Sequence, residues 1–342
     1  MKRVKVTLEV LTPMLSFGDD SRISEFRITE LKFLMRNTFR ELYYFKDAKD
    51  MKAKEDMLFG NIHRKSPICF KVTKVDPKGE EKVFMLPHKK VRPGKEEKKE
   101  KSEVSCLGAS SEISLYMIMN NILNIDLYVI LLIQASIIGG LGKRSRKGFG
   151  SFRVIDIDGI ENDKFKSILR KSPIEILREC SEWADCNIRS LYPIRNLKND
   201  SKQIEKLDFD YPYAKKIEIL KISKNKNYKS LIESISKLTH CRLCNKKDCN
   251  KDFVYKIENS NQINRNILGN CRGQEVKINR FASPISVSFW ENSNNKYMII
   301  KQLNYNYILG RLRIQDNGSI KANEDYINKY IKELVKIGDG EK

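Results

Sequence analysis

Alternation opens the chain. Val4, Val6, Leu8 and Val10 fall on one side of Lys2–Val10, and Lys5, Thr7 and Glu9 fall on the other. A period of two predicts a half-buried strand. Thr12-Pro13 ends it, and a loop carrying Gly18, Asp19 and Asp20 follows. From Ile28 to about Lys46 the spacing changes to three and four, with Leu31, Leu34, Met35, Phe39, Leu42 and Tyr43 on one face. That spacing predicts an amphipathic helix. A polar stretch then leads through Leu58-Phe59-Gly60 to a strand at Pro67–Val72. Lys89–Lys101 is a run of Lys and Glu broken by Pro93 and Gly94; with no apolar face to bury, it reads as an exposed insertion. Ile113–Met119 reads as a strand, and Leu127–Ile138, apolar on every side, as a buried helix. In Phe149–Ile157, Phe152 and Val154 face one way and Ile155 and Ile157 the other, which predicts a strand covered on both sides. Strand, helix, strand, strand, helix, strand is the order of a split βαβ, ferredoxin-like domain.

The second half repeats these signals in a new arrangement. Ser172-Pro173-Ile174-Glu175 is a capping box with Pro at the first helical position, and its helix should reach about Arg189. Ile176, Leu177, Cys180 and Trp183 form its apolar side. Lys215–Ser223 reads as a strand, with Ile217 and Ile219 on one face and Leu220 and Ile222 on the other. Leu231, Ile232, Ile235 and Leu238 mark a short helix. Pro284–Trp290 and Tyr297–Gln302 flank the turn residues Asn292–Asn295, which is hairpin chemistry. Tyr326, Ile327, Tyr330, Ile331, Leu334 and Val335 define a last helix, closed by Gly338. A chain of 342 residues is more than one core usually fills. Two α+β domains are therefore expected, 1–157 and 158–342, the second with a cysteine-containing insertion at about 240–271.

Charge narrows the function. The chain has 65 Lys and Arg against 44 Asp and Glu, a formal +21. A body this basic repels itself unless something anionic is near. Membrane fits poorly as that partner: no apolar run approaches the ~20 residues of a spanning helix. The longest run, Leu127–Ile138, contains Gln134, and Met1-Lys2-Arg3 is followed by alternation rather than by the apolar stretch of a signal peptide. Eight cysteines without such a signal point to a reducing cytoplasm. Of these, Cys69, Cys106, Cys180 and Cys186 read as small core residues. Nucleic acid is the partner left.

One loop localises the charge: Ile138-Gly139-Gly140-Leu141-Gly142-Lys143-Arg144-Ser145-Arg146-Lys147-Gly148-Phe149-Gly150. Glycines permit positive φ and close backbone approach, so amides there can converge on an anion. Lys143, Arg144, Arg146 and Lys147 add cations, and Phe149 offers a ring on which a base or sugar can stack. The Gly-Lys-Ser/Thr spacing of a P-loop is absent. The loop also leads into a strand rather than a helix, so it is no dinucleotide fingerprint.

The stretch from Gly139 to Ser151 resembles the signature loop of the RAMP superfamily of CRISPR effector proteins, and is similar in particular to that of the first-numbered subunit of the type III-B (Cmr) complex. Leu11-Thr12-Pro13, Glu55 with Leu58-Phe59-Gly60, and Arg280-Phe281-Ala282-Ser283-Pro284-Ile285 agree with the same family. Glu30 and Phe33 depart from it, standing where the family has a small residue and a glycine beside the first-helix Lys. The resemblance implies two ferredoxin-like (RRM-like) domains in tandem. It also implies a non-catalytic RNA-binding subunit of a type III-B ribonucleoprotein, with CRISPR RNA, target RNA and other Cmr subunits as partners. It further implies contact with the 3′ part of the guide or with its target duplex.

Lys32, Arg36 and Arg40 are spaced by four, so they share a helix face. They read either as a stripe tracking phosphates or as a solvated face, and the resemblance favours RNA. Gly18-Asp19-Asp20 reads as a turn; the alternative is an endoribonuclease of the same superfamily using Asp19 or Asp20 to hold a metal or orient a 2′-hydroxyl. His63 and His88 are lone histidines without a patterned partner. A general RNA chaperone outside CRISPR is a third class. His240-Cys241-Arg242-Leu243-Cys244, with Cys249 and Cys271, suits a closed tetrahedral zinc site of four sulfurs, His240 being the alternative ligand. Reduced cysteines in a loop are the other reading.

Overall fold

The computed structural model describes residues 1–20, 22–79, 82–84, 103–119, 125–160, 164–187, 192–193, 210–239, 257–258, 284–304, 321–322 and 324–339. The Lys89–Lys101 run, His88, the cysteine-box residues His240, Cys241, Cys244, Cys249 and Cys271, and Arg280–Ser283 lie outside the described residues.

The first half of the chain forms β1 (Lys2–Val10), α1 (Ile28–Leu42), α2 (Ala48–Phe59), β2 (Ile68–Asp76), β3 (Glu112–Met119), α3 (Ile125–Ile138) and β4 (Phe152–Asp158). Its sheet has the antiparallel order β2-β3-β1-β4. After α4 (Lys164–Ile168) and α5 (Pro173–Asn187), the second half of the chain contributes β5 (Ala214–Ile222), α6 (Tyr228–Thr239), β6 (Ile285–Glu291), β7 (Lys296–Leu303) and α7 (Glu324–Asp339). Its three described long strands are antiparallel in the order β6-β7-β5.

α3 explains how the halves fit. All of its residues but Asp126 are buried, because it packs against α1 and β4 on one side and against β6 and β7 on the other. A helix wrapped by protein must be apolar all round. Its buried polar groups are partly paired: the Gln134 carbonyl accepts from the Tyr43 hydroxyl at 2.9 Å, the Tyr128 hydroxyl donates to the Leu58 carbonyl at 2.6 Å, and Ser136 Oγ donates to the Ile133 carbonyl at 2.7 Å. The Gln134 amide nitrogen has no hydrogen-bond partner among the described residues. The second sheet is covered on both faces. Ile217, Trp290, Tyr297 and Ile299 join the core around α3, whereas Leu220, Ile222, Val287, Phe289, Met298 and Ile300 form a second core with α6 and α7.

Several expectations change. The stretch after Tyr43 is not a continuous polar loop. α2 lies there, capped by the Asp47 carboxylate, which accepts from the Asp50 amide at 2.8 Å, and by Gly60 at φ 74°. α1 correspondingly stops at Leu42. β4 is covered on one face only, because a register shift between Thr7 and Leu8 brings Ile157 to the same side as Phe152 and Val154 and leaves Ile155 38% exposed. Such a shift is a bulge-type irregularity. Cys69 is exposed, while Cys106 and Cys180 are buried as expected. Gly338 lies inside α7 rather than closing it. The capping box holds: Ser172 Oγ donates to Glu175 at 2.6 Å and the Ser172 amide does so at 2.9 Å. No described helix is long and apolar enough to cross a membrane.

Candidate nucleic-acid interface

The glycine-rich loop is a seam between the two sheets. It leaves α3 at Gly139 and runs back along the segment that follows β1. The Gly150 amide donates to the Pro13 carbonyl at 3.0 Å, the Lys143 amide to Leu15 at 2.8 Å, and the Leu141 amide to Gly150 at 2.9 Å. Thr12 Oγ1 donates to the Gly148 carbonyl at 2.7 Å and accepts from the Ser151 amide at 2.8 Å. Ser151 Oγ donates to the same carbonyl at 3.1 Å and accepts from the Phe289 amide at 3.0 Å. On the far side, the Val287 amide donates to the Arg146 carbonyl at 2.9 Å, and Lys147 bridges Val287 in parallel. The loop thus extends the edge of the second sheet.

Glycine serves this close packing. Gly142 has φ 83°, and a Cβ there would meet the Leu15 carbonyl oxygen at 2.6 Å. The amides of Gly139, Leu141, Lys143, Lys147, Gly148 and Gly150 all donate to carbonyls of the protein itself. The expected amide cup is therefore not formed by these groups. Phe149 is 2% exposed in the second core. Its ring offers no open face to a base, which corrects the stacking role read from the sequence.

The four cations diverge. Arg144 takes φ 62°, a left-handed conformation uncommon for a side chain larger than glycine. It opens a turn closed by the Lys147 amide donating to its carbonyl at 2.8 Å. Holding such a residue there costs on the order of 1 kcal/mol, and strain of that kind gathers at functional sites. Lys143 is exposed, with Nζ 4.6 Å from the Phe17 ring centroid. Arg146 is exposed and feels the carboxylate of Glu41. Burial lowers the half-buried Lys147 ammonium to about 8, and the charge of Arg144 adds to the effect.

That shift has a sign in both equilibria. The unfolded chain holds this proton up to the ordinary lysine range near 10.5, so folding stability rises as pH climbs from about 8 toward that value. A bound phosphate acts oppositely and favours the protonated form. Affinity of this loop for a phosphate ligand, the ligand expected from the sequence, is therefore expected to be level below pH 8 and to fall by up to about tenfold per pH unit just above it. Lys147→Arg should abolish that step. Titrating binding from pH 7 to about pH 9.5 reads it; an unchanged step in the variant would assign it elsewhere.

The first-helix cations turn inward. Arg36 Nη2 donates to the carbonyls of Phe59 and Gly60 at 2.9 and 2.6 Å. Glu55, fully buried, pairs with Arg40 and lies 3.8 Å from Arg36. A buried carboxylate needs counter-charge, so these arginines clamp α2 onto α1 and do not form the expected phosphate stripe. Lys32 Nζ lies 5.4 Å from the Phe70 ring. Asp20 accepts from the Arg22 amide, Nε and Nη2 at 2.9, 3.0 and 3.1 Å, and these bonds lower its pKa. The geometry is that of an arginine-held turn, while Asp19 is exposed. His63 sits in a turn where its amide donates to the Asn61 side chain at 2.8 Å. Among the described residues no group of three His, Cys, Asp or Glu side chains is placed to hold a metal.

Residues 7–153 match the family model of the RAMP superfamily. No curated protein matches the chain in sequence. Solved structures share its fold. A chain of the type III-B Cmr-beta complex bound to cognate target RNA and AMPPnP, in the presence of single-stranded DNA, superposes with a TM-score of 0.53 at 13% identity, covering 97% of this chain and 98% of that one. A chain of the same complex bound to cognate target RNA gives 0.53 at 14%, covering 98% and 99%. Cmr1 from Pyrococcus furiosus in its apo form gives 0.51 at 12%, covering 97% of each chain.

Proposed function

We propose, from the match of residues 7–153 to the RAMP superfamily model, that the chain is a non-catalytic RNA-binding subunit of a type III-B CRISPR ribonucleoprotein. The two halves are read as ferredoxin-like domains joined through α3 and the glycine-rich seam. The observation that carries the proposal is the turn from Arg144 to Lys147, a cationic tip held in a left-handed backbone where the two domains meet. Arg144 and Arg146 supply planar forks for phosphate oxygens, and Lys143 and Lys147 supply point charges. Gripping the sugar–phosphate chain makes binding independent of base sequence. The guide's 3′ part or its target duplex is the proposed ligand, with other Cmr subunits as neighbours in the cytoplasm. A structural zinc on Cys241, Cys244, Cys249 and Cys271, with His240 as the alternative ligand, belongs to the same reading.

Salt dependence tests it. With single-stranded RNA, each neutralised phosphate contributes about 0.7 to the slope of log affinity against log salt. The Arg144→Ala/Arg146→Ala variant is therefore expected to lower that slope by about 1.4 and to weaken binding to unrelated sequences alike. Equal slopes for variant and parent would remove the loop from the interface.

A further inference from the structure

The first sheet has a second face, opposite the one that α1 and α3 cover. Register puts Lys5, Tyr116 and Lys71 directly opposite one another on β1, β3 and β2, and the next row holds Arg3, Ile118 and Cys69. Lys5, Lys71, Arg3 and Cys69 are exposed, while Tyr116 and Ile118 are half-buried, as central-strand residues on an open face are. The Arg3 guanidinium lies 4.9 Å from the centroid of the Tyr116 ring. Directly opposed side chains in a sheet sit roughly 5 Å apart, so the three-residue row is an aromatic ring flanked by two ammonium groups, with a guanidinium over it.

The acids on this face lie elsewhere or already have partners. Glu9 pairs with Arg153 at 2.6 Å and Glu112 with Lys78 at 2.8 Å, both toward the far end of the sheet. Asp156 is opposite Thr7 on the edge strand, and Asp158, opposite Lys5, accepts from the Gly159 amide at 2.9 Å. Among the described residues, the two rows around Tyr116 thus carry three cations against the single carboxylate of Asp158.

We infer that this face is a second contact surface for single-stranded RNA, centred on Tyr116. The inference extends the RNA-binding reading above but stands on different residues. A base stacks on the ring or on the Arg3 plane, and Lys5 and Lys71 meet the phosphates on either side; stacking of this kind tolerates any base. The surface is distinct from the glycine-rich loop. Lys5 lies five residues before the end of β1 at Val10, about 17 Å along the strand direction, and the loop packs beyond that end at Pro13. A strand held at both places would cross the domain from one end of the sheet to the other.

The experiment uses the full chain and a fluorescein-labelled oligouridylate of about 12 nucleotides. Tyr116→Ala is expected to weaken binding about tenfold, and Tyr116→Phe, which keeps the ring, to leave it within about twofold. The Lys5→Glu/Lys71→Glu pair, which leaves the ring in place, is expected to weaken it by at least as much as Tyr116→Ala. Thermal unfolding confirms that each variant is folded; should Tyr116→Ala fail to fold, the charge-reversal pair decides. If the loop variant Arg144→Ala/Arg146→Ala weakens binding while the face variants do not, the second surface is overturned and the loop reading stands. The reverse pattern supports the face and sinks the loop. Equal losses for Tyr116→Phe and Tyr116→Ala would overturn stacking. A face change that alters association with protein partners but not with the oligonucleotide would overturn RNA as the occupant.

Discussion

Alanine at Gly150 is expected to cost at least about 4 kcal/mol of folding stability, a loss reserved for few kinds of substitution. Gly150 has φ 65°, where an L side chain adds roughly 1–2 kcal/mol of strain. The larger contribution is steric. A Cβ there would stand well inside the radius of the Leu141 carbonyl oxygen, which is backbone and cannot rotate away. Relief requires the loop to separate, and with it go the Leu141 bond to the Gly150 carbonyl and the Gly150 bond to Pro13. Gly139 is the control. Its Cβ would meet the end of the Leu34 side chain at 2.5 Å, and a leucine can move. Urea unfolding should show Gly150→Ala far below the parent and Gly139→Ala within about 1 kcal/mol of it. Equal midpoints for both would mean that the loop is not packed as described.

The second large effect lies where α1 meets the second domain. Glu41 and Lys301 pair while 7% and 6% exposed. Removing one charge strands the other in the interior, which costs about 3–5 kcal/mol. Glu41→Gln or Lys301→Met alone is expected to lose that much, whereas Glu41→Leu with Lys301→Met should recover most of it, since an apolar pair leaves no buried charge. Strict additivity of the two losses would deny the coupling.

What was legible in the sequence was local. β1 announces itself by alternation, the Ser172 box by its cap chemistry, and α3 by an apolar run too uniform for a surface helix. Where tertiary placement decides, local pattern misleads. α2 escaped notice because Met51, Leu58 and Phe59 are sparse among Lys, Asp and Glu; its available signals were the cap at Asp47 and the glycine at 60. Arg36 and Arg40 read as a cationic stripe because nothing within α1 reveals a buried Glu55 brought against them by the next helix. One register shift opposite Thr7 and Leu8 moves Ile157 to the side of Phe152 and Val154 and leaves Ile155 exposed, which the residues of β4 alone do not disclose. The loop shows the division most clearly. Its glycines and cations mark a special backbone, but Phe149 is buried by a sheet whose nearest strand begins more than a hundred residues later.

A structure of the full chain with bound RNA would examine the grip itself. Successive phosphates should lie within about 3 Å of the Arg144 and Arg146 guanidinium groups, along a strand that follows the junction of the two domains. Those side chains directed into water, with the polynucleotide held only at other surfaces, would contradict it.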